Sequence, residues 1–125
     1  MNAPTPSPES ARAELQAVID AALDSETIYY RLPAAQMETG VELLVWLRWN
    51  AYQCLDVEGI FPLVNAAAEI VLELWFGQRK LTFYVEFDGA VHVIRTWGDS
   101  LDETDEPLYD PACRFDLLLW MEPEE

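Results

Sequence analysis

Residues 69–97 read EIVLELWFGQRKLTFYVEFDGAVHVIRTW, and their interpretation decides the fold. Glu69–Phe76 and Lys80–Phe87 carry apolar residues at every second position, the period of a strand with one buried face, and Ala90–Trp97 is a third run of strand-forming residues. Gly77-Gln78 and Asp88-Gly89 separate them. Asp-Gly between such runs favours a type I′ hairpin turn, which needs positive φ at both central residues, and glycine in first position suits type II′. Taken as two-residue loops, the first turn pairs Leu74 with Leu81, Leu72 with Phe83 and Ile70 with Val85. The second pairs Phe87 with Ala90, Val85 with His92, Phe83 with Ile94 and Leu81 with Thr96. The expectation is a three-stranded antiparallel meander.

These registers sort the residues into two faces. Ile70, Leu72, Leu74, Phe76, Leu81, Phe83, Val85, Phe87 and Ile94 form the expected core face, with His92 at its margin. The other face lines up Trp75–Lys80–Trp97, then Glu73–Thr82–Arg95, then Val71–Tyr84–Val93. Lys80 between two indoles suits cation–π contact, and Glu73 lies diagonally from Arg95. Aromatic residues grouped with charges are typical of binding surfaces, so Trp75, Lys80, Tyr84 and Trp97 are candidate partner-binding residues.

The surroundings are helical and acidic. Three prolines in Met1–Pro8 indicate a flexible tail, and residues 9–122 are expected to form one domain. Ser7-Pro8-Glu9 has the form of a helix start, and Ala11, Leu15, Val18, Ile19 and Ala22 follow at helical spacing to about Asp24. Thr27–Leu32 suits an extended linker or an edge strand. A second helix is expected from Gln36 to Leu55, because Leu43, Leu44, Leu47, Ala51, Cys54 and Leu55 fall on one side of a helical wheel. Gly59–Pro62 breaks that pattern. Beyond the meander comes an acidic loop, Gly98–Asp110, and Asp110-Pro111 begins an expected C-terminal helix with Phe115, Leu118 and Leu119 on its apolar side. The fold class is α+β: N-terminal helices, a meander over about 69–97, and a C-terminal helix.

Charge narrows the function classes. The chain has 23 acidic and 7 basic residues, a net charge of −16, with 51% hydrophobic residues and five tryptophans. That composition indicates a folded protein. Direct nucleic-acid binding and anionic membrane surfaces are not expected, since both require lysine and arginine. A basic protein, or the nucleic-acid groove of one, matches the charge. No signal peptide or apolar run long enough for a bilayer is recognisable, which points to the cytoplasm and to reduced thiols at Cys54 and Cys113.

The strand-and-turn residues Glu73, Trp75, Tyr84, Asp88, Gly89, Trp97 and Gly98 resemble a pattern of small bacterial or mobile-element proteins. In that pattern Glu-x-Trp, a tyrosine strand, Asp-Gly and Trp-Gly follow one another. The resemblance implies a small sheet and such an origin, and brings no activity, cofactor or site residue with it.

No catalytic signature emerges. His92 with two distant cysteines has no local motif around it. The loop carboxylates lack the spacing and glycine of a calcium loop, and no zinc, phosphate-loop or dinucleotide fingerprint occurs. A non-enzymatic protein without a cofactor is therefore expected. Asp99, Asp102, Glu103, Asp105 and Glu106 join the candidate contact residues, because carboxylates on a scaffold can imitate phosphates in a basic groove. Anti-restriction and anti-CRISPR inhibitors use that logic, and toxin-immunity proteins a related one. The alternative is a small, acidic, homodimeric secretion-type chaperone that uses Trp75, Tyr84 and Trp97, or the side carrying Trp46 and Trp49, for apolar contact.

Overall fold

Proline in first helical position fixes where the N-terminal helix begins. A computed structural model describes residues 7–52, 59–76, 78–98, 101, 103–106, 109–110 and 116. In it Ser7 caps α1 (Pro8–Asp24), its Oγ accepting from the Ser10 N–H at 3.2 Å. Ala11, Leu15, Ile19 and Ala22 form the buried stripe of α1. The helix ends with Glu26 left-handed at φ 60°, and the Thr27 and Ile28 amides fold back onto the Ala22 carbonyl. Thr27–Leu32 is neither helix nor strand.

The second helix, α2 (Ala34–Leu47), runs into a π-helical turn, Arg48–Tyr52. Leu43, Leu44 and Leu47 are buried, as the wheel required. The two helices are tied by Arg12–Glu38 (2.6 Å) and by a two-pronged Arg48–Glu14 pair. Gly40 lies where α2 meets both α1 and the sheet. A Cβ there would stand 3.0 Å from Ile70 Cδ1 and 3.2 Å from Leu15 Cδ1.

Among the described residues the sheet has five strands rather than three: β1 (Gly59–Val64), β2 (Ile70–Phe76), β3 (Arg79–Val85), β4 (Val91–Trp97) and β5 (Glu103–Asp105), each antiparallel to the next. β1 is an edge strand, the position where Pro62, lacking an N–H, is tolerated. β5 lies within the acidic loop and pairs Arg95 with Asp105. The expected C-terminal helix lies outside the described residues except for Asp116, and Met1–Pro6, Cys54 and Cys113 lie outside them too. No helix among the described residues is long and apolar enough to cross a membrane.

β2 and β3 pair in the expected register, Ile70↔Val85 through Leu74↔Leu81. The β3–β4 register is shifted by one. Glu86 N–H donates to the Ala90 carbonyl (2.8 Å) and Gly89 N–H to the Glu86 carbonyl (2.9 Å), so the loop is Phe87-Asp88-Gly89. A three-residue loop needs only one left-handed residue, and Gly89 at φ 86° supplies it; a type I′ turn would force Asp88 left-handed as well. Asp88 Oδ1 further accepts the Ala90 N–H at 3.0 Å. The pairs are therefore Val85↔Val91, Phe83↔Val93 and Leu81↔Arg95.

One shift reverses every side chain of β4. Val93 is fully buried in the core, while Ile94 moves to the opposite face. Phe87 leaves the core for the loop, 70% exposed. Helices α1 and α2 thus pack with the face carrying Ile60, Ile70, Leu72, Leu74, Leu81, Phe83, Val85 and Val93. Tyr109 adds an edge-on contact to Phe83, centroids 6.1 Å apart.

Gly40→Ala tests the tight three-way contact. Alanine gains about 1 kcal/mol in helix propensity, yet Ile70 and Leu15 are fully buried and have no space to give. Urea unfolding should show a net loss of about 1–2 kcal/mol. Equal or greater stability would contradict the packing described.

Candidate protein-binding face

The face of the sheet away from the helices follows from the register. Its rows are Gly59–Trp75–Lys80–Thr96–Thr104, Phe61–Glu73–Thr82–Ile94 and Leu63–Val71–Tyr84–His92. Of the four expected aromatic-face residues, Trp75, Lys80 and Tyr84 lie together there. Trp97 does not. It pairs with Arg79 on the helix-covered side, a consequence of the loop register.

β1 contributes what the sequence reading missed. Phe61 and Leu63 are 51% and 36% exposed and extend the apolar surface beside Trp75 and Tyr84. The signal was present as the alternation Phe61-Pro62-Leu63, but Pro62 argued against a strand. At the centre, Val71 and Thr82 are each only 4% exposed.

Electrostatics are local. Lys80 Nζ sits 4.8 Å from the Trp75 ring centroid and 3.4 Å from Glu73, so Glu73 pairs with Lys80 and not with Arg95. Burial, then the neighbouring charges of Glu69 and Glu73, raise the Tyr84 phenol above its usual value.

The acidic loop divides in two. Asp99 and Asp102 lie outside the described residues. Asp105 is committed to Arg95, whose guanidinium donates to it at 2.8 Å and holds its carboxyl below the usual range. Glu106 stands 3.1 Å from His92 Nδ1, while Glu86 approaches Nε2 at 3.4 Å. Glu103 is exposed. His92 is accordingly a surface residue between two carboxylates, not a residue of the core margin. Among the described residues, no three of histidine, cysteine, aspartate and glutamate cluster to hold a metal.

No protein-family model, curated protein or solved structure matches the chain. The interpretation of this face therefore rests on its own geometry.

The hydrogen bond to Glu106, then the charge of Glu86, raise His92 above its ordinary 6.5. A raised folded value means that protonation favours the folded state: this contribution is complete below pH 6.5 and disappears as pH rises through the folded value. NMR titration should place the imidazole above 6.5, and Glu106→Gln should bring it down. The Tm difference between the two proteins should be largest on the acid side and close above the folded value. A titration at or below the ordinary value would refute the bridge.

Proposed function

We propose that the protein is a non-enzymatic, acidic protein-binding module that blocks a basic partner. The observation that carries this reading is a sheet face on which Phe61, Leu63, Trp75 and Tyr84 lie together around a buried centre, in a chain of net charge −16. Apolar and aromatic residues would supply the desolvated centre of an interface, and surplus carboxylates would steer a cationic partner to it. Glu103 is the described loop carboxylate best placed for steering, since Asp105 and Glu106 already serve Arg95 and His92. A partner that binds nucleic acid, or a basic toxin, has the matching chemistry.

A second reading is a homodimeric secretion-type chaperone, favoured by the exposure of Phe61 and Leu63 on the strand at the sheet edge. Light scattering on the purified protein separates the two. A constitutive dimer supports the chaperone and a monomer supports the inhibitor.

With a captured basic partner in hand, raising salt should weaken binding by tenfold or more, on the order expected for steered association. Glu103→Lys should slow association, whereas Phe61→Ala and Trp75→Ala should speed dissociation. Affinity indifferent to both salt and Glu103→Lys would end the electrostatic account.

A further inference from the structure

One hydrogen bond fixes which way each residue of β1 points. The Asn65 N–H donates to the Glu69 carbonyl at 3.2 Å. Backbone groups alternate along a strand, so Leu63, Phe61 and Gly59 also turn theirs toward β2, and Ile60, Pro62 and Val64 turn theirs outward. No strand among the described residues pairs with β1 on that outer side. Pro62 stands in the middle of the outward row and has no N–H, so the edge offers donors at Ile60 and Val64 with a gap between them. A partner strand laid along this edge would meet a broken ladder.

What β1 presents instead is side chains. Phe61 and Leu63 lie on the face turned away from the helices and are 51% and 36% exposed, while Val71 beside them is 4% exposed, so contact is confined to the β1 side of that face. Continuing the β2–β3 register one step beyond Ile70↔Val85 sets Glu69 opposite Glu86. Glu69 lies two residues before Val71 and Glu86 two after Tyr84, so both share the face of Leu63, and Glu86 accordingly reaches His92 at 3.4 Å. Lys80 is engaged with Glu73 and His92 also with Glu106, and a neutral donor, Asn65 Nδ2, serves Glu69 at 2.9 Å. Like charges opposed on a ladder are unfavourable, and a basic group brought to them relieves the repulsion.

Phe61, Leu63 and the Glu69–Glu86 row occupy three successive steps of two residues along the strands, each about 7 Å. A helix advances about 6 Å in four residues, so its residues i, i+4 and i+8 match those steps. We propose that this face docks an amphipathic helix of the basic partner, with apolar residues i and i+4 on Phe61 and Leu63 and a lysine or arginine at i+8 on the Glu69–Glu86 row. The inference rests on the reading of a basic protein partner and adds a binding mode to it: a helix on the face, not a strand on the edge.

The test is NMR titration of the isotope-labelled full chain with an alanine–glutamine helical peptide carrying leucine at i and i+4 and arginine at i+8. An isomer with the arginine moved to i+6, on the other side of the helix, is the comparison. Saturable shifts are expected at the Leu63, Glu69 and Tyr84 amides, and the isomer should bind about threefold more weakly, the scale of one exposed ion pair. Phe61→Ser with Leu63→Ser should abolish binding of both peptides. Glu69→Gln with Glu86→Gln should erase the preference for the first peptide. Glu9→Gln with Asp24→Asn, an equal change of charge elsewhere, should preserve it, and spectral dispersion verifies folding in every variant. Absence of saturation, equal affinity for the two peptides, or a preference that survives Glu69→Gln with Glu86→Gln would overturn the proposal. Peptide-induced protection of the Ile60 and Val64 amides from hydrogen exchange would overturn it too, because it signals strand addition. A captured basic partner whose salt-sensitive binding ignores Phe61→Ser with Leu63→Ser removes this docking mode and leaves the partner reading standing. Peptide docking as expected, in a chain whose partner binding ignores salt, keeps the helix site and removes only the steering account.

Discussion

A left-handed glycine at position 89 decides which side of the sheet each residue of β4 faces. Gly89 has φ 86°, and a Cβ on it would stand 3.0 Å from Thr39 Oγ1 of α2. Both the backbone angle and the approach of the helix exclude a side chain there. With that residue left-handed and Asp88 not, the loop takes three residues and the β3–β4 ladder closes between Glu86 and Ala90. Strand periodicity then leaves no freedom. Val93 enters the core, Arg95 reaches Asp105, His92 meets Glu86 and Glu106, and Trp97 is withdrawn from the aromatic face.

That end of the sheet also concentrates unfavourable features. Ala68 adopts the left-handed region that an L-residue enters at a cost of roughly 1–2 kcal/mol. Gln36 keeps a buried oxygen unpaired, a loss of about 1–3 kcal/mol in a typical interior. Glu69 opposes Glu86 in the extended register. Gln36 compensates in part by joining α2 to both hairpins through two carbonyls from different strands' ends. Elsewhere the core face is conventional, with buried leucine, isoleucine, valine and phenylalanine.

The legible parts of the sequence were those decided by neighbours in the chain. Ser7-Pro8 marks α1, the leucines of α2 share a face, and Ile70, Leu72 and Leu74 meet Val85, Phe83 and Leu81 as their alternation demands. The parts that were not legible depended on choices between near-equal local options. Asp-Gly serves a two-residue loop and a three-residue loop equally well, and only docking against Thr39 and hydrogen bonding at Ala90 distinguish them. Pro62 hid β1, because its edge position is a fact of tertiary arrangement. The carboxylates of β5 hid a strand that Arg95 and the β4 edge hold in place. The candidate face was accordingly half legible: Trp75, Lys80 and Tyr84 were found, Trp97 was misplaced, and Phe61 and Leu63 were missed.

The scarcity of cations gives the charge a spatial meaning. Arg12, Arg31, Arg48, Lys80 and Arg95 are each engaged with a carboxylate, and most of these pairs join separate elements: helix to helix, linker to helix, strand to strand. Exposed pairs of this kind add little stability singly, but they withdraw the positive side chains from the field presented to a partner. What remains outward is the surplus of acid. At physiological salt that field decays within about 8 Å, so in the proposed reading it would orient an approaching cationic surface and not hold it. On the binding reading proposed above, retention would come from contacts that exclude water, with Phe61 and Leu63 beside half-buried Trp75 and Tyr84 supplying them.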